Sequence, residues 1–327
     1  MEIIKAGSDG IYLPQLNIGL DYSGSDAEYV FVSHGHSDHI PRRSTANTYA
    51  TRPTKKFMKL RNYRGQIEEL NFGNSLETDT ARITFYPAGH ILGSAMTFIE
   101  SDFGNLLYTG DYRSPASPAS EGFQLPKEAV DYFITEATFS LPIYRWKSYT
   151  HLEKQICSFA SNALNEGYTP IFLAYNLGKA QEIMHFLKNL NHPVQIHNAG
   201  FKLCDVYEQE GIDLGQYETY DHDTCKGKIL ITPGSALGNG FASNIKKKRI
   251  AYCSGWAAME ARRVQMTVDK LIPLSDHLDF FELIRLCEKL NPKKTYITHT
   301  PNPNVVLHYL EKRGIAASTL KQRQKTA

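Results

Sequence analysis

The chain's chemistry concentrates in Ser33-His34-Gly35-His36-Ser37-Asp38-His39, where three histidines and an aspartate fall within six residues. Imidazole nitrogen and carboxylate oxygen are donors that zinc, manganese or iron accept. A short apolar run of strand type, Tyr29-Val30-Phe31-Val32, leads into the stretch. Side chains two apart on an extended chain point to one face, so His34 and His36 can aim at one metal from one side. A tight turn past the strand can swing Asp38 and His39 toward a second metal. A lone histidine here would read as a surface loop residue. Four ligand types at this spacing, directly after an apolar strand, point to a metal site.

Further candidates stand at the ends of other apolar runs. Ile83 to Tyr86 leads to Pro87-Ala88-Gly89-His90, and Leu106 to Tyr108 leads to Thr109-Gly110-Asp111. Tyr132 to Ile134 ends in Thr135-Glu136, Leu271 to Leu274 leads to Ser275-Asp276-His277, and Thr295 to Thr298 ends at His299. An α/β fold gathers its site in this way, on loops held by a rigid sheet. Each residue also has a plainer reading. His90 and His299 could be strand-end histidines, Asp111 a turn aspartate, and Glu136 a solvated strand end. His277 could neighbour a helix cap supplied by Asp276 or Asp279. In this order along the chain they support one another.

The elements that must position these residues come in two styles. Over residues 1–32, short apolar runs alternate with Gly and Asp turns. Ile11-Tyr12-Leu13 and Leu16-Asn17-Ile18 suggest antiparallel strands at a sheet edge. Residues 40–80 mix basic side chains, Arg42 and Arg43 among them, with a helix-like segment. Thr97-Phe98-Ile99 and Leu106-Leu107-Tyr108 read as a hairpin-like pair. From about 147 the pattern changes. Leu152, Ile156, Phe159, Ala163 and Leu164 predict an amphipathic helix over 149–166. A strand at Ile171–Ala174, a helix over 180–190, and strands near Val194–Ile196, Ile229–Ile231 and Ile250–Tyr252 follow. Alternating strands and helices predict a small parallel α/β unit at 147–254. From 255 the chain is expected to return to the first domain, with helix 279–290, a strand before His299 and a last helix ending near Gly314. The polar tail from Ser318 to Ala327 is expected to fray.

Composition bounds the possibilities. A length of 327 residues fits one large domain or two ordinary ones. Hydrophobic residues at 42% supply a core, and 21% charged residues argue against disorder. A net charge of +2 excludes a polycation, so any nucleic acid must meet a local basic patch. Five scattered cysteines with no CxxC pair predict free thiols in a reducing compartment. Neither a signal-peptide core nor an apolar run of membrane-spanning length occurs. A soluble cytoplasmic protein without membrane contact is expected.

The order HxHxDH, then His90, Asp111 and a C-terminal His299, resembles the metallo-β-lactamase superfamily. Glu136 in Ile134-Thr135-Glu136-Ala137-Thr138, His277 in Leu274-Ser275-Asp276-His277, and His299 resemble the three added motifs of its β-CASP nucleases. Thr138 to Trp146, Gly178-Lys179-Ala180-Gln181, and Ser254-Gly255-Trp256 with Ala261-Arg262-Arg263 resemble the bacterial DNA ligase-associated exonucleases. The resemblance covers nearly the whole chain. It implies an α/β fold, a metallo-β-lactamase αββα sandwich (1–146 and 255–327) with an inserted small β-CASP domain (147–254). It implies two divalent metals, zinc first, with manganese or iron fitting the same donors. His34, His36 and His90 would hold one metal and Asp38, His39 and His299 the other, with Asp111 bridging. A hydroxide between the metals would attack phosphorus, and the pair would clamp attacking and leaving oxygens. Asp38, Asp111, Glu136 and His277 form the implied catalytic group. His277 would protonate the leaving oxygen, with Glu136 fixing its imidazole, and Asp21 would support a metal-binding histidine.

The implied activity is that of an exonuclease on DNA in ligase-linked repair, with a DNA ligase and a helicase as partners. The rival readings are an RNA-processing nuclease of the same fold and a non-catalytic nucleic-acid-binding subunit. The family's third added motif is His in RNA-acting members and often Val in eukaryotic DNA-repair members, so His299 departs from the DNA-repair pattern. Thr300 stands where many relatives have Gly. A small-ester hydrolase would share the first motif but need neither Glu136, His277 nor the insert. Substrate is expected in a cleft between the domains. Arg145 and Trp146 could pin or stack a strand end, and Lys179, Arg262 and Arg263 could meet phosphates. For the run Lys246-Lys247-Lys248-Arg249, phosphate contact and a solvated basic face are equally open.

Overall fold

The computed structural model describes residues 1–5, 10–42 and 46–320; Arg43 and tail residues 321–327 lie outside the described residues. The chain divides into two compact units, Met1–Ile143 with His277–Ala327, and Tyr144–Asp276.

Two sheets build the first unit. One has six strands in the order Ile4–Lys5, Ile11–Leu13, Ile18–Leu20, Tyr29–Phe31, Asn47–Ala50 and Glu68–Glu69. The first two pairings are antiparallel and the rest parallel. The other sheet has seven, in the order Ala317–Thr319, Lys294–Thr298, Tyr132–Glu136, Leu106–Tyr108, Ala95–Ser101, Ala81–Pro87 and Ser75–Glu77.

Period-two patterning explains how the layers stack. Along Leu106–Tyr108, the side chains of Leu106 and Tyr108 enter the core between the sheets, while Leu107 faces the opposite way. Ile134 and Ile99 likewise meet Leu13, Ile18, Leu20 and Phe31 of the other sheet. Phe133 and Phe98 turn outward onto helices Phe280–Leu290 and Pro303–Glu311, packing on Phe280, Leu283, Val306 and Leu310. On the far side, Met58 of helix Arg52–Leu60 covers Val30, Val32 and Ala50. Helix, sheet, sheet and helix thus form the expected αββα sandwich.

The second unit holds a six-stranded sheet, entirely parallel, ordered Tyr217–Thr219, Val194–Ile196, Ile229–Thr232, Thr169–Leu173, Lys248–Cys253 and Lys270–Ile272. Helix Tyr149–Asn165 begins on a Ser148 cap and buries Leu152, Ile156, Ala160 and Ala163 at helical spacing.

Two expectations are corrected. The sequence pattern assigns residues 255–276 to the first domain, but Lys270–Ile272 extends the second unit's sheet beside Lys248–Cys253. Its three residues give no composition shift, and only parallel pairing reveals the membership. Polar composition predicts fraying from Ser318, yet Ala317–Thr319 pairs in parallel with Lys294–Thr298. There the ladder hydrogen bonds override composition.

Gly110 joins strand Leu106–Tyr108 to Asp111 at φ 54°, and a Cβ there would stand 2.4 Å from Ser33 Cβ. Both backbone and space therefore demand glycine. Gly110→Ala should destabilise the first unit by about 1–3 kcal/mol. Gly73 lies at φ 75°, and a Cβ added there would meet nothing within 4 Å. It carries only the backbone cost, so its alanine variant should lose less. Denaturant midpoints at unchanged slope read the difference.

Candidate metal centre

The histidine motif occupies a turn just past strand Tyr29–Phe31, closed by His39 N–H donating to His36 O at 3.1 Å. His90 lies in the loop between the paired strands Ala81–Pro87 and Ala95–Ser101. Asp111 follows strand Leu106–Tyr108, and His299 follows Lys294–Thr298 at φ 42°. Glu136 is the last residue of its strand. His277 precedes helix Phe280–Leu290, whose cap is Asp279.

Four donors converge. His34 Nε2 stands 3.0 Å from His36 Nδ1, and His90 Nε2 stands 3.2 Å from the same atom. Asp111 Oδ2 lies 3.6 Å from His34 Nε2 and 3.8 Å from His90 Nε2. All four residues are buried, with their donor atoms within 4.8 Å of one another. In a tetrahedral site with zinc–nitrogen bonds of about 2.0–2.1 Å, neighbouring donors stand about 3.3 Å apart. The cluster matches that spacing, so this donor set could hold a metal ion.

A second group shares Asp111. His39 Nε2 lies 3.5 Å from Asp111 Oδ2, and the His39 and His299 rings are 5.4 Å apart. Asp38 and His299 are both exposed. With His39, Asp21, Tyr108 and Thr298 they line a cavity of about 250 Å³.

Electrostatics differ between the groups. Burial, reinforced by positive charge on His39, His36 and His90, pushes His34 well below the usual imidazole range. A neutral imidazole is what a metal ligand requires. At His39 burial also opposes charge, but Asp111 and Asp21 outweigh it and lift the imidazole to about 10. Burial likewise acts against ionised Asp111, and the surrounding histidines, His39 first, overcome it and hold the carboxyl below its ordinary range.

Asp21 supports this side more heavily than its sequence context suggests. Its Oδ2 accepts from His39 Nδ1 at 2.7 Å, from Ser33 Oγ at 2.6 Å and from Tyr108 OH at 2.8 Å. Its Oδ1 accepts from Ser33 N at 2.6 Å. Sequence reasoning misses both Ser33 and Tyr108. Ser33 adjoins the motif, but nothing in the local pattern marks the strand-end tyrosine.

Glu136 and His277 meet, with Nδ1 and Oε1 3.0 Å apart, and Glu136 Oε2 accepts from Thr138 N at 2.7 Å. The His277 ring lies 4.8 Å from that of His90. Asp111, Glu136 and His277 also offer donor atoms within 4.8 Å of one another.

The expected substrate contacts, Arg145, Trp146, Lys179, Arg262 and Arg263, all belong to the second unit. Arg145 is exposed, and Trp146 lies 5.9 Å from the Tyr144 ring. Lys179 pairs with buried Asp276 at 2.5 Å, which offsets its charge. Arg262 stacks over Trp256 at 5.9 Å, and Arg263 pairs with Glu260 at 2.8 Å. The Gly178 amide donates to Gln181 Oε1 at 2.9 Å. His197 caps helix Asn198–Gln209. Among the described residues no helix is long and apolar enough to cross a membrane.

No family model matches the chain. A protein named probable DNA ligase from Opitutus terrae is 33% identical over 295 residues, covering 89% of this chain and 28% of that protein. An RNase J-like protein from Methanocaldococcus jannaschii is 30% identical, covering 49% of this chain and 43% of its own length. Endoribonuclease YSH1 from Gibberella zeae is 31% identical, covering 46% and 18%. The chain thus spans less than half the length of each of these relatives. A crystal structure of an Enterococcus faecalis protein of unknown function superposes with a TM-score of 0.66 at 13% identity, covering 90% of this chain and 80% of that one.

The donor geometry predicts a stability gain from metal. A divalent cation supplied to metal-stripped protein at about one hundred times its dissociation constant should add about 2.7 kcal/mol to unfolding. His36→Ala should remove most of that gain, while His151→Ala, on an exposed residue of the second unit, should keep it. Denaturant titrations with and without zinc or manganese give both values.

Proposed function

This chain belongs to the β-CASP branch of the metallo-β-lactamase superfamily, and on that premise we propose a two-metal phosphodiesterase, an exonuclease acting on DNA in ligase-linked repair. The observation that carries the reading is the His/Asp donor cluster with an imidazole–carboxylate pair, His277 and Glu136, at its side. His34, His36, His90 and Asp111 would hold one divalent ion. Asp38, His39, His299 and Asp111 would hold the other, with zinc favoured by the imidazole-rich set. When bound, such ions acidify water and offset the negative charge of a phosphodiester transition state.

The chain's own groups do the remaining work. Asp21 fixes the His39 ring by accepting at Nδ1, which leaves Nε2 directed at Asp111. Glu136 engages Nδ1 of His277 and so sets which ring nitrogen can deliver a proton. A nucleic-acid alkoxide leaves poorly unless protonated, and His277 Nε2 is the proposed donor of that proton. A small-ester hydrolase would have no use for this added pair.

Linkage to a ligase supports DNA as substrate, because a stretch similar to nearly this whole chain occurs within a polypeptide named probable DNA ligase. A ligase and a helicase of the same pathway are the proposed partners. The five free cysteines support a reducing, cytoplasmic compartment. His299 and the likeness to proteins named RNase J-like and endoribonuclease favour the second reading, an RNA-processing nuclease.

End-labelled single-stranded DNA and matched RNA decide between them. We expect stepwise loss from one end of DNA, dependent on added metal and absent in Asp111→Ala. Preferential cleavage of RNA would establish the second reading instead. His277→Ala should lower kcat by about 10²–10⁴ with metal content unchanged; a metal-depleted variant would refute its assignment as proton donor.

A further inference from the structure

The geometry points to Arg113 as a positioning residue that holds the proton donor His277 in register with Asp111 through Glu282. The inference rests on the phosphodiesterase reading above and deepens it.

Arg113 lies two residues past Asp111 and is only 2% exposed. Its Nη1 donates to Glu282 Oε2 at 2.6 Å and to Ser114 O at 3.0 Å. The same Glu282 oxygen accepts from Asp279 N at 2.7 Å, two residues past His277. Asp279 Oδ1 in turn accepts from Glu282 N at 2.8 Å, completing a capping box. Tyr112 grips the same turn from between Asp111 and Arg113, its carbonyl accepting from Leu278 N at 3.2 Å. The Tyr112 hydroxyl meets Thr135 Oγ1 at 2.7 Å, one residue before Glu136. Residues 112 and 113 therefore tie the Asp111 loop to both members of the His277–Glu136 pair.

A capping box needs only its Asp and Glu. The buried arginine goes beyond that need, and a buried ion pair adds little stability over an apolar pair of the same volume. What a guanidinium supplies is direction, through a rigid planar fork. Here that direction runs from the Asp111 loop to the turn carrying His277. A slip of about 1 Å in a reacting group costs about 10²-fold in rate.

The chemistry gives a readout that loss of fold would not mimic. In either substrate below, a P–O bond forms from water as the P–O bond to the leaving group breaks. A DNA leaving oxygen takes the proton from His277 Nε2. In bis(p-nitrophenyl) phosphate the leaving p-nitrophenolate departs as a stable anion and needs no proton. Arg113→Lys keeps the charge but loses the fork. Glu282→Gln keeps an acceptor for Asp279 N but weakens the pairing. Each should lower kcat on DNA about 10- to 100-fold. KM, bound metal and turnover of the aryl ester should stay within about twofold. Arg113→Met with Glu282→Leu, which replaces the pair by apolar side chains, should show the same split if the single variants fold poorly. Equal losses on both substrates, or no loss on DNA in a folded variant, would overturn the assignment of Arg113. Wild-type protein that hydrolyses neither substrate would overturn the phosphodiesterase reading, and this inference with it.

Discussion

The buried carboxylate of Asp21 is the constraint on which the rest of the centre depends. An ionised carboxylate offers about four acceptor sites, and here four donors engage it, Ser33 Oγ, Tyr108 OH and His39 Nδ1 at Oδ2 and Ser33 N at Oδ1. Those donors come from both sheets of the sandwich. Asp21 follows strand Ile18–Leu20, Ser33 and His39 follow Tyr29–Phe31, and Tyr108 ends a strand of the opposite sheet. A charge buried this deeply is tolerable only when so fully hydrogen-bonded. Satisfying it obliges the two sheets to meet at one register, and that register brings Asp111, three residues past Tyr108, within 3.5 Å of His39.

Backbone geometry at the strand ends makes the same point. Asp21 and His299 both sit at positive φ, at 48° and 42°, a conformation that non-glycine residues adopt at a cost. Each stands where a strand stops and the chain turns over the sandwich edge. Asp21 is held there by its own N–H donating to Phe31 O at 2.9 Å as well as by its carboxylate contacts. The strain at Asp21 is thus offset by hydrogen bonding around it, and each of the two strained turns delivers one side chain to the cavity beside the cluster.

The sequence discloses what depends on local pattern and hides what depends on long-range pairing. Helix Tyr149–Asn165 is readable from periodicity because burial on one face repeats every few residues; strand Val194–Ile196 is buried throughout and is readable only as a short apolar run. The donors His34, His36 and His90 are readable because each follows an apolar run and their type suits a metal; Asp111 as a ligand, the roles of the set and the Glu136–His277 pairing come only from family resemblance. The membership of strand Lys270–Ile272 is not readable, because three residues cannot say which sheet they join. Tyr108 reaches Asp21 across 87 positions and Arg113 reaches Glu282 across 169, and no window of local sequence contains either contact.

The electrostatic layout explains why the donors divide as they do. His34 is enclosed by other imidazoles, so burial and like charge both favour its neutral form, and its Nε2 stands 3.6 Å from Asp111 Oδ2. His39 lies between two carboxylates, Asp21 and Asp111, and those charges favour its protonated form despite burial. Asp111 belongs to both environments, facing a neutral imidazole on one side and a protonated one on the other. A lone buried carboxylate would take up a proton, but this one remains ionised because histidines surround it. An ionised oxygen facing two nitrogen-rich groups suits the bridging role proposed for Asp111, and the fold places it there by closing three strand ends around one aspartate.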